Sequence, residues 1–412
     1  MSAFSDSSRR RLVLAILLLV STVSAPSGVA QRGTDPRIVA IGDIHGNFDA
    51  FIEILRHAGI TDASGNWSAG NTTLIQTGDF VDRGAKVKAV IDRLMALEQQ
   101  ATAAGGRVVV LLGNHEVMNM AGDVRDVTPE IYATFADEGS AQRREAAYEA
   151  YLKFCAARAA LFPRSPPRLF QPIAKNQWMD AHPAGYIEYR DAFSPQGRYG
   201  RWLRTKAPVF RIGDSVFMHA GINPNRAPRR LEDINRQVTS DIKRFDDYRS
   251  RLIDRKLILS YFNLTEILTA AQIEVEVNAA LAKAEAANAQ GALEVPVNPD
   301  PYRLAELLRI DTWSLFDPEG PLWYRGFATW SPEEGSVQVK NLIERYKVAH
   351  FVTGHSVTQT RRITPRFSGT VFLIDTGMVF PGGAASALEI KDRGFTAISA
   401  DGRTVLIDDA AR

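Results

Sequence analysis

The hydrophobic pattern changes period several times along this chain. Arg37-Ile38-Val39-Ala40-Ile41 reads as a strand whose last four residues are an unbroken apolar run, as expected for a strand buried on both faces. From Asn47 to Ala58 the apolar residues fall at Phe48, Phe51, Ile52, Leu55 and Ala58, a helical stripe that Gly59 stops. Thr72 to Thr77 reads as a second strand. Ala85 to Ala104 reads as a helix with Val87, Val90, Ile91, Leu94, Met95 and Leu97 on one side, ended by Gly105-Gly106. Arg107 to Leu112 reads as a third strand. Residues 37–116 are thus a β-α-β-α-β run, whose ligands are expected at the C-terminal ends of the strands.

From about 121 to 206 that rhythm breaks. Ser140 to Leu161 has the pattern of a charged amphipathic helix, and Pro163, Pro166 and Pro167 punctuate the loop after it. Val209 to Ile212 and Ser215 to Met218 flank Gly213-Asp214 as a hairpin that runs into His219-Ala220-Gly221. Residues 229–290 read as mostly helical, with an alanine-rich stretch at 279–289, and 291–301 is a proline-bearing loop. A helix at 337–347 leads to a strand at 349–353 and then Gly354-His355. Short strands are expected at 371–374, 387–391, 396–399 and 405–407.

Composition changes this picture only at the N-terminus. At 412 residues, 45% hydrophobic and 23% charged, the chain can bury one large core or two smaller ones, and nothing in it is collagenous, disordered overall or polytopic. Arg9-Arg10-Arg11, the nine apolar residues Leu12 to Val20 and the small-residue exit Gly28-Val29-Ala30 form the pattern of a signal peptide. The apolar run is far short of the ~20 residues of a spanning helix. Residues 1–30 therefore read as a cleaved signal and 31–412 as the folded domain, exported to the periplasm or secreted; an uncleaved anchor is the alternative. Without residues 1–30, 46 basic groups face 46 acidic ones, a balance that gives no electrostatic reason to bind nucleic acid or, after cleavage, a membrane. The lone Cys155 excludes an internal disulfide and reads as a buried core residue.

The chemistry sits in short glycine-flanked islands: Gly42-Asp43-Ile44-His45-Gly46, Gly78-Asp79-Phe80-Val81-Asp82-Arg83-Gly84 and Gly113-Asn114-His115-Glu116, each directly after a strand. Asp, His and Asn at neighbouring strand ends offer oxygen and nitrogen donors without thiolates, suited to a pair of divalent cations and a hydrolase that attacks phosphate with a metal-activated water. Of seven histidines, His45, His115, His219 and His355 follow expected strands beside glycine, whereas His57, His182 and His350 read as structural.

In this order, Gly-Asp-x-His-Gly, Gly-Asp-x-Val-Asp-Arg-Gly, Gly-Asn-His-Glu, His-Ala-Gly and Gly-His resemble the phosphoprotein phosphatase branch of the calcineurin-like metallophosphoesterases. Gly200-Arg201-Trp202-Leu203-Arg204 and Gly320-Pro321-Leu322-Trp323-Tyr324-Arg325-Gly326 make the chain most similar to the bacterial Shewanella-like group. The resemblance implies an α/β fold, a β-sandwich of two mixed sheets flanked by helices, with helical insertions at about 121–206 and 229–310. It implies two divalent metal ions, manganese foremost with iron or zinc as alternatives. Asp43 and His45 would bind the first, Asp79 would bridge, and Asn114, His219 and His355 would complete the second site.

By the same resemblance His115 would be the general acid, held charged and oriented by Asp82, while Arg83, Asn114 and Arg325 would bind the phosphate. A hydroxide bridging the metals would attack in line, without a phosphoenzyme. Glu116 reads as a support for its loop or for Arg83 rather than a ligand. The substrate would be a phosphorylated protein or a small phosphate ester; a phosphodiester or dinucleotide polyphosphate is the alternative, and a metal-keeping binding protein a more distant one.

Two features depart from the eukaryotic pattern. The 104 positions from His115 to His219 and the 136 from His219 to His355 exceed what a minimal catalytic domain needs. The plainer reading is solvated helical decoration, the sharper a lid that narrows substrate choice. Asp375-Thr376-Gly377-Met378 replaces the aromatic-Cys segment that toxin inhibitors engage in eukaryotic relatives.

Overall fold

The computed structural model describes residues 37–286 and 301–408, so the expected signal peptide at 1–30 lies outside the described residues. The chain begins with β1 (Ile38–Ile41), α1 (Phe48–His57), β2 (Thr73–Gln76), α2 (Val87–Ala103), β3 (Arg107–Val110) and α3 (Asn114–Ala121). A helical stretch follows: α4 (Pro129–Ala133), α5 (Ser140–Ala159), α6 (Lys175–Ala181), α7 (Tyr186–Ala192) and α8 (Arg198–Leu203). The hairpin β4 (Val209–Ile212) and β5 (Ser215–Met218) precedes α9 (Leu231–Asp254), α10 (Leu264–Ala286), α11 (Pro301–Leu307), α12 (Gly326–Thr329) and α13 (Pro332–Tyr346). The last strands are β6 (His350–Thr353), β7 (Thr364–Arg366), β8 (Val371–Leu373), β9 (Ser386–Lys391), β10 (Gly394–Ser399) and β11 (Gly402–Ile407).

These strands form two mixed sheets. The first has the order β11-β10-β9-β1-β2-β3, with β1, β2 and β3 parallel and β9 antiparallel to β1. The second has the order β4-β5-β6-β8-β7, with β5, β6 and β8 parallel. Period-2 alternation divides each apolar run between two cores. Ile38 and Ala40 of β1, Ile75 of β2, Phe217 of β5, Val352 of β6 and Phe372 of β8 meet between the sheets. Val39, Ile41 and Leu74 face helices α1 and α2 on one outside. Val216, Met218 and Phe351 face α13 on the other. The runs read as continuous because both faces of the strands are buried.

Three local differences from the sequence reading have simple causes. Helix α13 starts at Pro332 rather than 337, because the Ser331 hydroxyl accepts from the Glu334 N–H at 3.2 Å and Pro332 fits the first turn. Helix α3 has no amphipathic stripe because every one of its residues is buried. Strand β7, Thr364-Pro365-Arg366, is a three-residue edge strand, where a proline is tolerated.

The long helical stretches are not merely solvated decoration. Tyr132, Tyr151, Phe154, Trp178, Tyr189 and Phe193 are buried in the same core as α1 and α2, as are Phe245 and Phe262 from the later stretch. Cys155 lies inside this aromatic cluster, fully buried.

Candidate metal centre

Every island lies where a parallel strand ends: after β1 (Asp43, His45), β2 (Asp79), β3 (Asn114, His115), β5 (His219) and β6 (His355). Glycine lets the islands touch. A Cβ on Gly46 would lie 2.2 Å from the Gly84 carbonyl oxygen, and one on Gly113 or on Gly354 would lie 2.2 Å from a carboxylate oxygen of Asp79 or Asp43. At Gly113 and Gly354 close approach, rather than a sharp turn, therefore explains the residue.

The turning is done largely by the chemical residues themselves. His45, Asp79, Asp82, Arg83 and His355 have φ between 45° and 67°, a region that costs a non-glycine residue roughly 1–3 kcal/mol. Glu116 helps to hold that geometry. Its carboxylate accepts from the backbone N–H groups of Asp79 (2.8 Å), Phe80 (2.9 Å), Val81 (3.3 Å) and Gly113 (2.7 Å). It thus supports the loops and not Arg83. Burial, with the Asp79 charge next in weight, pushes its carboxyl up to about 7.

Three imidazoles are wired alike. His45 Nδ1 lies 2.8 Å from the Val81 carbonyl, His219 Nδ1 3.1 Å from that of Thr77, and His355 Nε2 3.0 Å from that of Trp323. An N–H donated to each carbonyl leaves the other nitrogen as a lone pair aimed inward, the usual wiring of a metal-ligating histidine. His219 Nε2 is 2.9 Å from Asn114 Oδ1, 3.0 Å from His355 Nδ1 and 3.2 Å from Asp79 Oδ2. On the other side, His45 Nε2 is 3.7 Å from the same Asp79 oxygen and 4.0 Å from Asp43 Oδ2.

Two donor clusters therefore share Asp79. Burial keeps His45 neutral, pulling its imidazole down to about 3 against the pull of Asp79, and burial likewise holds His355 well below the usual range. Burial raises Asp43 well above an ordinary carboxyl, helped by Asp375 and Asp79 beside it. Buried lone pairs and crowded carboxylates pointing at one another are a donor set that fits divalent cations with oxygen and nitrogen preference. Asp375, just after β8, is marked in the sequence only as part of the segment that replaces the aromatic-Cys stretch, not as a member of the centre; its place after an apolar strand is the signal that could have found it.

His115 is wired differently. Its Nδ1 donates to Asp82 Oδ2 at 2.7 Å, and Asn119 Nδ2 donates to Asp82 Oδ1 at 2.8 Å. Burial opposes charge on this imidazole, but Asp79 and Asp82 outweigh it and raise it to about 9. Arg83 lies between two rings: its Nη1 donates to His45 Nε2, its Nη2 comes within 3.1 Å of His115 Nε2, and its guanidinium lies 5.3 Å from the Phe380 ring centre. Arg325 sits at the rim, its Nη1 donating to the His355 carbonyl at 2.9 Å and to Ser356 Oγ at 3.0 Å. All the residues singled out from the sequence thus converge on one place. Asn119, four residues after His115 on α3, was missed because Val-Met-Asn-Met carries no motif.

A two-sheet sandwich with a buried Asp/His/Asn cluster at its strand ends defines a metallophosphoesterase. The calcineurin-like phosphoesterase family model matches residues 36–251, more than half of the chain, and the chain belongs to that family. It is a metal-dependent phosphatase. It is 29% identical over 346 residues to an uncharacterized protein of Schizosaccharomyces pombe, covering 83% of this chain and 73% of that one. It is 32% identical over 213 residues to Shewanella-like protein phosphatase 2 of Arabidopsis thaliana, covering 51% and 52%. Among solved structures, a cold-active protein-tyrosine phosphatase of a psychrophilic Shewanella species aligns with a TM-score of 0.52 at 23% identity, over 90% of this chain and 80% of that one. This last likeness is one of fold.

Proposed function

We propose that the chain is a dinuclear phosphomonoesterase acting on phosphorylated proteins or small phosphate esters. The observation that carries this reading is the hydrogen-bonded His115–Asp82 pair beside two donor clusters that share Asp79. Asp43 and His45 would hold one cation, Asn114, His219 and His355 the other, and Asp79 both. Bound there, the two ions supply positive charge to the phosphoryl oxygens and a water that is nucleophilic near neutral pH. Manganese is our preferred pair, with iron or zinc as alternatives.

The chain's own groups do the rest. His115, kept protonated by two carboxylates, gives a proton to the departing ester oxygen. Asp82 fixes which nitrogen carries that proton. Arg83, with two N–H groups turned into the site, grips the phosphoryl oxygens together with the Asn114 amide, and Arg325 closes the rim. The Arg83 guanidinium lies against the His45 nitrogen that would hold the first cation, which sets its N–H groups at the edge of that site. A monoester is preferred because its dianionic phosphoryl group offers three terminal oxygens to the cations and to Arg83 and Arg325, where a diester offers two.

The deciding experiment compares p-nitrophenyl phosphate with its bis-ester on the metal-replete protein. Hydrolysis of the monoester that a chelator abolishes and added Mn²⁺ restores is expected. Activity that survives chelation, or a preference for the bis-ester, would overturn the reading. Arg9-Arg10-Arg11 and the apolar run after it support export, and recovery of the full-length chain in the cytosol on cell fractionation would count against that.

A further inference from the structure

We propose that Tyr189, on helix α7 of the 121–206 segment, is a positioning residue for the His115–Asp82 pair and acts through Asn119. The inference rests on the reading of His115 as general acid. The Tyr189 hydroxyl donates to Asn119 Oδ1 at 2.5 Å. The amide nitrogen of Asn119 then donates both of its hydrogens, one to Asp82 Oδ1 at 2.8 Å and one to the His115 carbonyl at 2.9 Å. Asp82 Oδ2 is left to accept from His115 Nδ1 at 2.7 Å. The chain Tyr189–Asn119–Asp82–His115 is continuous, and its tyrosine, asparagine and aspartate are all 0% exposed, so water cannot replace a lost member.

The phenol decides the orientation of the amide. Turned over, Asn119 would set its carbonyl oxygen against the Asp82 carboxylate and the His115 carbonyl, acceptor against acceptor. A donor on the far side holds the amide nitrogen toward Asp82, and so holds Asp82 where it pins the His115 ring.

Tyr189 is itself rigidly placed. Tyr132 and Phe135 pack edge-on to its ring, at 5.3 and 4.8 Å between centres, and Phe193 lies at 4.6 Å. Next to it, Arg190 reaches the Asn119 carbonyl at 3.4 Å and the Phe262 carbonyl at 3.0 Å, which ties α7 to the end of α3. The helical segment between the third and fourth motifs is therefore neither decoration nor only a cover: it supplies the outer end of the acid's support.

The test measures kcat/KM of the metal-replete protein on two aryl monoesters. Phenyl phosphate needs a proton on its leaving oxygen; p-nitrophenyl phosphate releases a stabilised anion and needs it less. Tyr189→Phe is expected to lose about tenfold on phenyl phosphate and about twofold on p-nitrophenyl phosphate, a fraction of the ~10²–10⁴ that a general acid contributes. Asn119→Ala should shift the ratio the same way and further, which keeps the test alive if Tyr189→Phe folds poorly. Tyr132→Phe, which keeps the ring packed on Tyr189 and removes a neighbouring hydroxyl that is no part of the chain, should keep the wild-type ratio. His115→Asn should show the steepest discrimination of all. Equal losses on both esters in Tyr189→Phe and Asn119→Ala, with unequal losses in His115→Asn, overturn the role of Tyr189 and leave the acid. Equal losses in His115→Asn overturn the acid itself.

Discussion

Five residues of the centre sit at positive φ, and what holds them there is chiefly other backbone rather than their own side chains. Ile44 and His45 both donate N–H groups to the Asp79 carbonyl at 3.0 Å, and Gly84 donates to the His45 carbonyl at 2.9 Å. Glu116 gathers four further N–H groups, so its two oxygens serve as the anchor of two loops at once. Glu116→Gln puts an NH₂ where an acceptor is required and leaves buried donors facing a donor. We expect it to lower the unfolding free energy by about 2–4 kcal/mol, since each buried unsatisfied group costs about 1–3. Urea denaturation measures that, and metal analysis should show less than the wild-type metal content. A stable variant with full metal content would mean that the loops hold their shape without the carboxylate.

At the scale of elements, α6 and α7 are short helices that propensity alone would not sustain, and tertiary packing fixes their ends. Gly185, at φ 90°, precedes α7, and a Cβ there would lie 1.8 Å from the Tyr132 carbonyl oxygen. Gly185→Ala must therefore move α7 away from α4, at an expected cost of about 2–4 kcal/mol in urea denaturation. Should the variant prove as stable as wild type, the two helices are not in the fixed contact described.

At the end of α6, His182 stacks on Trp178 with ring centres 4.0 Å apart and its Nδ1 2.8 Å from the Trp178 carbonyl. Burial, with the Arg144 charge adding to it, holds this imidazole below its usual value although the Trp178 carbonyl favours the proton. A depressed folded pKa means that the unfolded chain takes up the proton first. His182 thus contributes stability above about pH 6.5 that is lost as pH falls toward the folded value. His182→Gln should flatten the decline of Tm between pH 7 and 5; an unchanged slope would show that this histidine is not buried as a neutral group.

The whole molecule brings two sheets together so that the parallel strands of both end on one cluster. Between them, Phe372 of β8 stacks on Phe395 of β10 with ring centres 4.3 Å apart, an inter-sheet contact. Asp43, Asp79 and Asp375 crowd together at that shared edge, so cations that bind only the folded state should stabilise the whole sandwich. Each ion at about 100 times its Kd adds ~2.7 kcal/mol, so removing two from a domain of roughly 350 residues lowers Tm by roughly 5–10 °C. Calorimetry with and without chelator reads this directly, and an unchanged Tm would place the metals outside the folding equilibrium.

Periodicity and motif order sufficed for much of this protein. The first β-α-β-α-β run could be read because its strands are buried on both faces and its helices are amphipathic. Asp43, Asp79, Asn114, His115, His219 and His355 could be read because short metal-ligating side chains stand beside glycines straight after strands. The entirely buried α3 and the edge strand β7 were not legible, since neither shows a period or a marked composition. Only the tertiary structure decided that Glu116 holds loops rather than Arg83, that Asp375 crowds Asp43, and that Tyr189 reaches Asp82 through Asn119. Between one island or helix and another, those contacts join residues from 35 to more than 300 positions apart. Local sequence determines which backbone forms and which donors a loop can offer; which donors meet depends on long-range packing, whose partners no local pattern records.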